Sequence, residues 1–216
     1  MVLAIELDKR LCSVLEDKLK SYNNLKIIYA DILKINIPEI VYELLSGTVN
    51  EVCANLPYNI TSPVLTALFE AGTFNSITVM IQREVARRIV ASPGSAQYGA
   101  FTVYVNYHSI PLILFDVSPD CFFPKPKVYS SVIKLNIRNK KFFSDPCDEN
   151  LFFRVVRAAF GQRRKTLINS LYAVFNNKIS KTALEGIISE CGFDHNIRGE
   201  MLSLYDFIKL TGMLRF

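Results

Sequence analysis

An asparagine, a carbonyl next to a proline and an aromatic ring stand in a row at Asn55-Leu56-Pro57-Tyr58. These groups suit a grip on a flat molecule that carries an exocyclic amine. The Asn55 side-chain oxygen and the Leu56 carbonyl can each accept a hydrogen bond from such an amine. The Tyr58 ring offers a face on which the plane can stack. The stretch continues as Asn59-Ile60-Thr61-Ser62-Pro63 and closes an apolar run from Val49 to Ala54. Asn and Pro are also turn formers, so the four residues alone fit an ordinary loop.

Two carboxylates occupy equivalent places. Glu6 ends the apolar run Val2-Leu3-Ala4-Ile5, and Asp31 ends the run from Leu25 to Ala30. Open α/β sheets bind ligands at the carboxyl ends of their strands. A carboxylate there can accept both hydroxyls of a ribose. A second one can accept from an adenine amine or hold the loop that frames it. Either acid alone could equally cap the next helix or turn. Three polar groups at three successive strand ends describe one crevice.

Alternating elements must position these groups. Val2 to Ile5, Leu25 to Ala30, Val49 to Ala54 and Ile77 to Ile81 read as buried strands, with helical patterns between them. Leu11, Val14, Leu15 and Leu19 share one helix face. Ser62 reads as a helix N-cap before Pro63, and Gly72 as a C-terminal cap. Strands are also expected at Phe101 to Tyr107, Leu112 to Val117 and Val128 to Ile137. The pattern predicts an α/β domain over 1–140 with a largely parallel sheet, a linker over 141–149 and a small helical domain over 150–216. The run at Val2 starts at once, so the domain reads as one that has lost something upstream.

The chain has 216 residues, 50% hydrophobic and 21% charged, which is an ordinary globular mixture. Its net charge of +5 mildly favours an anionic partner. No apolar run reaches the ~18 residues of a membrane span. The five cysteines are odd in number and form no CxxC pair. Neither a disulfide framework nor a zinc site is expected, and a reduced, cytoplasmic setting fits. No signal peptide opens the chain. The histidines, His108 and His195, have no partner pattern.

Two further segments suit nucleic acid. Phe122-Phe123-Pro124-Lys125-Pro126-Lys127 puts rings and cations on a proline-stiffened loop, with Phe122 expected on the substrate face and Phe123 in the core. From Leu151 to Lys181 there are seven basic residues and no acidic one, among them Arg154, Arg157, Arg163, Arg164 and Lys165. Such a run fits either a solvated face or a helix that tracks phosphates.

Asn55 to Pro63 resembles the Asn-Leu/Ile-Pro-Tyr/Phe signature of S-adenosylmethionine-dependent methyltransferases acting on the amino nitrogen of adenine. More widely, the chain resembles the bacterial ribosomal RNA adenine dimethyltransferases. The resemblance rests on Ala4 to Arg10, Ala30 to Leu33, Asn55 to Leu65, Gln82 to Arg88, Tyr98-Gly99, Phe122 to Ser131, Ala158 to Leu167 and Arg198 to Leu204. It implies a Rossmann-like class I methyltransferase sheet with a helical C-terminal domain. It also implies S-adenosylmethionine as methyl donor, no metal, and a monomer acting on 16S rRNA in the immature 30S subunit. Glu6 would bind the cofactor ribose, Asp31 its adenine, and Asn55 both cofactor and target amine. Tyr58 and Phe122 would sandwich a flipped adenine, at a cost that base stacking offsets. Methyl transfer would be direct, from sulfonium to nitrogen, with the amine aimed by Asn55 and Leu56. Lys125, Lys127 and the basic helix residues would meet RNA.

One departure stands out. The family opens with a strand and a Gly-x-Gly-x-Gly loop around the methionine end of the cofactor. Here the glycines start at Gly47. The resemblance places the absent first strand centrally, between the strands that end at Glu6 and Asn55. Two other readings stay open: a non-catalytic RNA-binding assembly factor, and the sister group that dimethylates large-subunit rRNA and confers antibiotic resistance. The expected consequence of the missing loop is weak or no binding of S-adenosylmethionine to this 216-residue chain. Titration calorimetry checks it, and micromolar affinity would refute it.

Overall fold

The computed structural model describes residues 1–214 except 46, 48, 139–141 and 143–145, and describes 146 and 147 by backbone alone. Of the expected linker over 141–149, residues 141 and 143–145 lie outside the described residues, and 146–149 instead begin a helix, Pro146–Gly161. Contacts divide the chain into two compact units, Met1–Ile81 and Gln82–Phe216.

The first unit contains β1 (Val2–Glu6), α1 (Lys9–Leu19), β2 (Leu25–Tyr29), α2 (Ile37–Leu45), β3 (Glu51–Asn55) and α3 (Thr61–Ala71). It closes on β4, which spans Ser76–Gln82 and so reaches the boundary. β1 pairs with β2 in parallel, Val2 opposite Leu25 and Glu6 opposite Tyr29. β3 pairs in parallel with β4, Glu51 opposite Ser76 and Asn55 opposite Met80. These two pairs belong to separate sheets. The strands ending at Glu6 and Asn55 are thus not hydrogen-bonded to each other.

Separation has a cost in burial. β4 is the interior strand, with Ile77, Val79 and Ile81 at 0–1% exposure. β1 does not match the buried strand its composition predicts: Val2 is 53% exposed and none of its residues is fully buried. On α1, the expected apolar face leaves Leu11 and Val14 exposed, and Cys12 is the buried residue. A β-branched run reads as interior only when neighbours cover both of its faces. Strong packing gathers instead around α3, where Val64, Leu65, Leu68 and Phe69 are buried. Gly72 caps that helix in the left-handed conformation at φ 64°, as predicted. Ser62 is not its N-cap, because the helix begins one residue earlier, at Thr61.

The second unit contains α4 (Arg83–Ile89), α5 (Ala100–His108), β5 (Ser109–Val117), β6 (Ser130–Ile137), α6 (Pro146–Gly161), α7 (Leu167–Phe175), α8 (Lys181–Glu190) and α9 (Leu204–Met213). β5 and β6 run antiparallel, with a register shift between Ile113 and Phe115. α5 corrects the strand expected at Phe101 to Tyr107. The polar residues Thr102 and Asn106 are four apart, and so are the core residues Val103 and Tyr107. That period belongs to a helix. Thr102 Oγ1 donates to the Arg88 carbonyl at 2.7 Å, and Asn106 Nδ2 donates to the Ile89 carbonyl at 3.1 Å. The side chains of α5 thereby satisfy carbonyls at the end of α4.

One apolar cluster joins Tyr98, Val103 and Tyr107 to Phe152, Val155, Leu171, Phe175, Leu184 and Phe207. This shared core explains why the compact units do not divide near residue 140: the helices after 146 pack on α5. Tyr98 ties the cluster together by donating from its hydroxyl to the Leu202 carbonyl at 2.8 Å. Burial first, and Asp206 second, push that hydroxyl well above the usual tyrosine range.

Gly199 is another fixed point. A Cβ added there would lie 2.7 Å from the Cβ and carbonyl oxygen of Ala159 on α6. Backbone cannot yield as a flexible side chain would. Gly199→Ala should therefore cost about 2 kcal/mol and lower Tm by roughly 4–8 °C in a thermal melt. An unchanged Tm would contradict this packing.

Candidate active site

Parallel pairing builds the first part of the site. β3 and β4 stay in register to Asn55 opposite Met80, and the ladder adds one more bond, from Leu56 N–H to the Met80 carbonyl at 3.1 Å. Leu56 is consequently buried, at 7% exposure, while Asn55 before it and Pro57 after it are exposed. Among the described residues, no hydrogen bond engages the Asn55 side chain, and no donor reaches the Leu56 carbonyl. Both acceptors remain available at the strand end.

Pro57 then turns the chain into a single 3-10 turn, Tyr58–Ile60. Ile60 N–H donates to the Pro57 carbonyl at 3.1 Å, and the buried Thr61 hydroxyl lies 3.4 Å from the carbonyls of Pro57 and Tyr58. These bonds fix the backbone on which the half-buried Tyr58 ring stands.

The two carboxylates share one end of the β1–β2 pair, where Ala30 N–H donates to the Glu6 carbonyl at 3.0 Å. Each is also a local cap. Glu6 Oε1 accepts from Asp8 N–H at 2.8 Å, and Asp31 Oδ1 accepts from Leu33 N–H at 3.0 Å. Lys34 Nζ approaches Asp31 Oδ2 at 3.6 Å. Capping and ligand binding are compatible here, because each cap occupies one oxygen of its carboxylate. Both groups are half-buried, and as hydrogen-bond acceptors they fit the hydroxyls and amine of an adenosine.

The aromatic loop lies in the second unit. Ser118 caps its start, with Asp120 N–H donating to the Ser118 hydroxyl at 3.3 Å, and Lys125 forms an ion pair with Asp120. Lys125, followed by the Ser118 hydroxyl, holds the Asp120 carboxyl below its ordinary range. Lys125 is thus committed within the loop, whereas Lys127 is exposed. Sequence reasoning missed this organising role for Ser118 and Asp120, although Ser-Pro-Asp is a recognisable cap pattern. Phe122 is half-buried, and its N–H donates to the Pro119 carbonyl at 3.2 Å. The expectation that Phe123 joins the core is overturned: its side chain is fully exposed, at 101%. Two prolines flanking one lysine leave that ring no interior wall to meet.

The basic residues divide by job. Arg154 lies 5.1 Å over the Phe175 ring. Arg157 Nε donates to the Phe153 carbonyl at 3.2 Å. Arg163 donates to the Tyr98 carbonyl at 3.1 Å and stands 3.4 Å from that of Ala96, so it pins the loop before α5. Arg164 and Lys165 are exposed and have no acidic partner among the described residues. No group of three His, Cys, Asp or Glu among the described residues could hold a metal ion. Nor is any described helix long and apolar enough to cross a membrane.

Known proteins resemble this chain over nearly its whole length. The family model described as "Ribosomal RNA adenine dimethylase" matches residues 1–210. Ribosomal RNA small subunit methyltransferase A of Lachnoclostridium phytofermentans is 44% identical over 215 residues, covering 99% of this chain and 74% of that protein. The protein of the same name from Shouchella clausii is 45% identical, covering 99% of this chain and 72% of that protein. Among solved structures, a dimethyladenosine transferase from Plasmodium falciparum superposes with a TM-score of 0.78 at 23% identity, covering 97% of this chain and 80% of its own. The 23S rRNA methyltransferase ErmE superposes with a TM-score of 0.73 at 22% identity, covering 99% of this chain and 82% of its own. Those two likenesses establish the mixed α/β fold. On the match over residues 1–210 and these identities, the chain belongs to the ribosomal RNA adenine dimethylase family.

Proposed function

We propose that the site of this chain is built to transfer methyl groups from S-adenosylmethionine to N6 of two adjacent adenosines near the 3′ end of 16S rRNA, within the immature 30S subunit, and that without the glycine-rich loop the chain carries this reaction out in impaired form. The observation that carries this reading is the strand end at Asn55. An exposed amide and a carbonyl without a donor stand side by side there, ahead of a ring on a fixed turn. Family membership and relatives named for the small ribosomal subunit support it.

The residues then act as follows. Glu6 and Asp31 accept hydrogen bonds from the adenosine part of the cofactor, Glu6 through the oxygen not used in its cap and Asp31 through Oδ2, which it shares with Lys34. The cofactor supplies an electrophilic methyl group on sulfonium. Asn55 Oδ1 and the Leu56 carbonyl accept the two N–H bonds of the target amine. Held this way, the amine nitrogen keeps its lone pair out of conjugation with the ring and aimed at the methyl group. This is catalysis by positioning, with no covalent intermediate on the protein. Tyr58 stacks on the extruded base, and Phe122, in the second unit, offers the RNA a stacking face of its own. The helical domain over 150–216 holds the RNA through Arg154, Arg157, Arg163, Arg164 and Lys165, with Lys127 adding charge from the aromatic loop.

Two experiments test these roles. In a methylation assay on immature small subunits with labelled S-adenosylmethionine, Asn55→Ala should abolish turnover while RNA affinity stays within about twofold. Unchanged turnover would refute the amine-holding role. In RNA-binding titrations over a range of salt, Arg164→Ala with Lys165→Ala should reduce the slope of log K against log salt by about 1.4–1.8. An unaltered slope would remove these two cations from the RNA interface. RNA binding by the wild-type chain without any methyl transfer, even at millimolar S-adenosylmethionine, would favour the non-catalytic assembly factor.

A further inference from the structure

A cavity of about 300 Å³ opens between α6 and α7. Arg154, Arg157 and Gln162 line it with exposed polar heads, and Ala158 and Val174 give it apolar walls. Ser170 also lines it, at 2% exposure, and its hydroxyl has no hydrogen-bond partner among the described residues. The Thr166 carbonyl, one turn back, instead accepts the Ser170 backbone N–H at 3.0 Å. Buried hydroxyls are nearly always bonded, so an orphan on a cavity wall asks for a ligand.

The two arginines are held but not neutralised. Arg154 rests on the Phe175 ring at 5.1 Å, and Arg157 uses only its Nε, on the Phe153 carbonyl. Among the described residues, no carboxylate pairs with either one. Their fork geometry matches a phosphate.

Size and wall chemistry narrow the ligand. The volume, about 300 Å³ and open to solvent, is far more than a phosphate group displaces. A simple anion would leave the apolar walls and the Ser170 hydroxyl without a role. An apolar ligand would strand two guanidinium groups. A nucleotide meets all three demands. We propose that this cavity takes one unpaired nucleotide of the RNA. Its base packs against Ala158 and Val174, with Ser170 Oγ and the Gln162 amide on its polar edge. Its phosphate lies at Arg154 and Arg157. Ser and Gln both donate and accept, as reading a base edge requires. This inference rests on the RNA-binding reading above and adds a second site of base recognition, on the helical domain.

The test uses the full chain, no methyl donor, and fluorescence anisotropy with a short labelled single-stranded RNA. A sugar-phosphate strand of equal length without bases serves as the comparison. Ser170→Ala should weaken binding of the RNA about fivefold, the loss of one hydrogen bond. Gly161→Leu should weaken it about tenfold by filling the cavity, because a Cβ on Gly161 meets nothing within 4 Å and the variant can fold. Both variants should bind the base-free strand like wild type. Tm separates this role from a structural one: Ser170→Ala removes an unsatisfied group and should leave Tm equal or higher, whereas a structural hydroxyl would lower it. The proposal fails if both variants bind the RNA like wild type. It also fails if they lose the base-free strand equally, or if millimolar inorganic phosphate displaces the RNA at constant ionic strength. A wild-type chain that binds RNA but methylates nothing even at millimolar S-adenosylmethionine would sink the proposed reaction and leave this site standing. A wild-type chain that binds no RNA would sink both.

Discussion

The hydrogen bond from Leu56 N–H to the Met80 carbonyl sets the geometry of the candidate site. It extends the β3–β4 ladder one residue beyond the strand. Because side chains alternate along an extended chain, burying Leu56 forces Asn55 outward. A slip of one residue would exchange them and carry the amide into the core. The proline that follows contributes no N–H and lets the chain turn at once onto Tyr58. Three groups with different chemistry thus come from one strand end, and β4, buried along most of its length, keeps that end rigid.

The second unit depends on a different constraint, the apolar cluster around Phe152, Phe175 and Phe207. α6 turns Phe152, Val155, Val156 and Ala159 inward, which leaves Arg154 and Arg157 outward. The cationic face is therefore a product of core packing, since every buried position on the helix dictates an exposed one. Gly199 pressed against Ala159 shows how tightly that helix is held. A surface proposed to read RNA gains precision from being built on such a helix.

Much of this was legible in the sequence, for definite physical reasons. The strand ends at Glu6 and Asn55, and the turn at Asp31 two residues past β2, were marked by apolar runs that stop at a polar residue. Gly72 announced its helix end, because the left-handed conformation there excludes most other residues. What escaped was tertiary. Phe101 to Tyr107 is rich in β-branched and aromatic residues, and their propensity masked the four-residue spacing of Thr102 with Asn106. The packing partners of that helix, Phe152 and Phe153, lie some fifty positions away. Phe122 and Phe123 are adjacent and chemically identical, so sequence could not decide which one meets solvent. The caps on Glu6 and Asp31 likewise needed coordinates, since each acid suits a turn and a ligand equally well.

A crystal structure of the chain with adenosine bound tests the central claim most directly. The account predicts the adenosine amine within hydrogen-bond distance of Asn55 Oδ1 and the Leu56 carbonyl, with the Tyr58 ring stacked on the purine. Density that leaves this strand end empty while adenosine fills only other sites, or the Asn55 side chain turned into the interior, would contradict it.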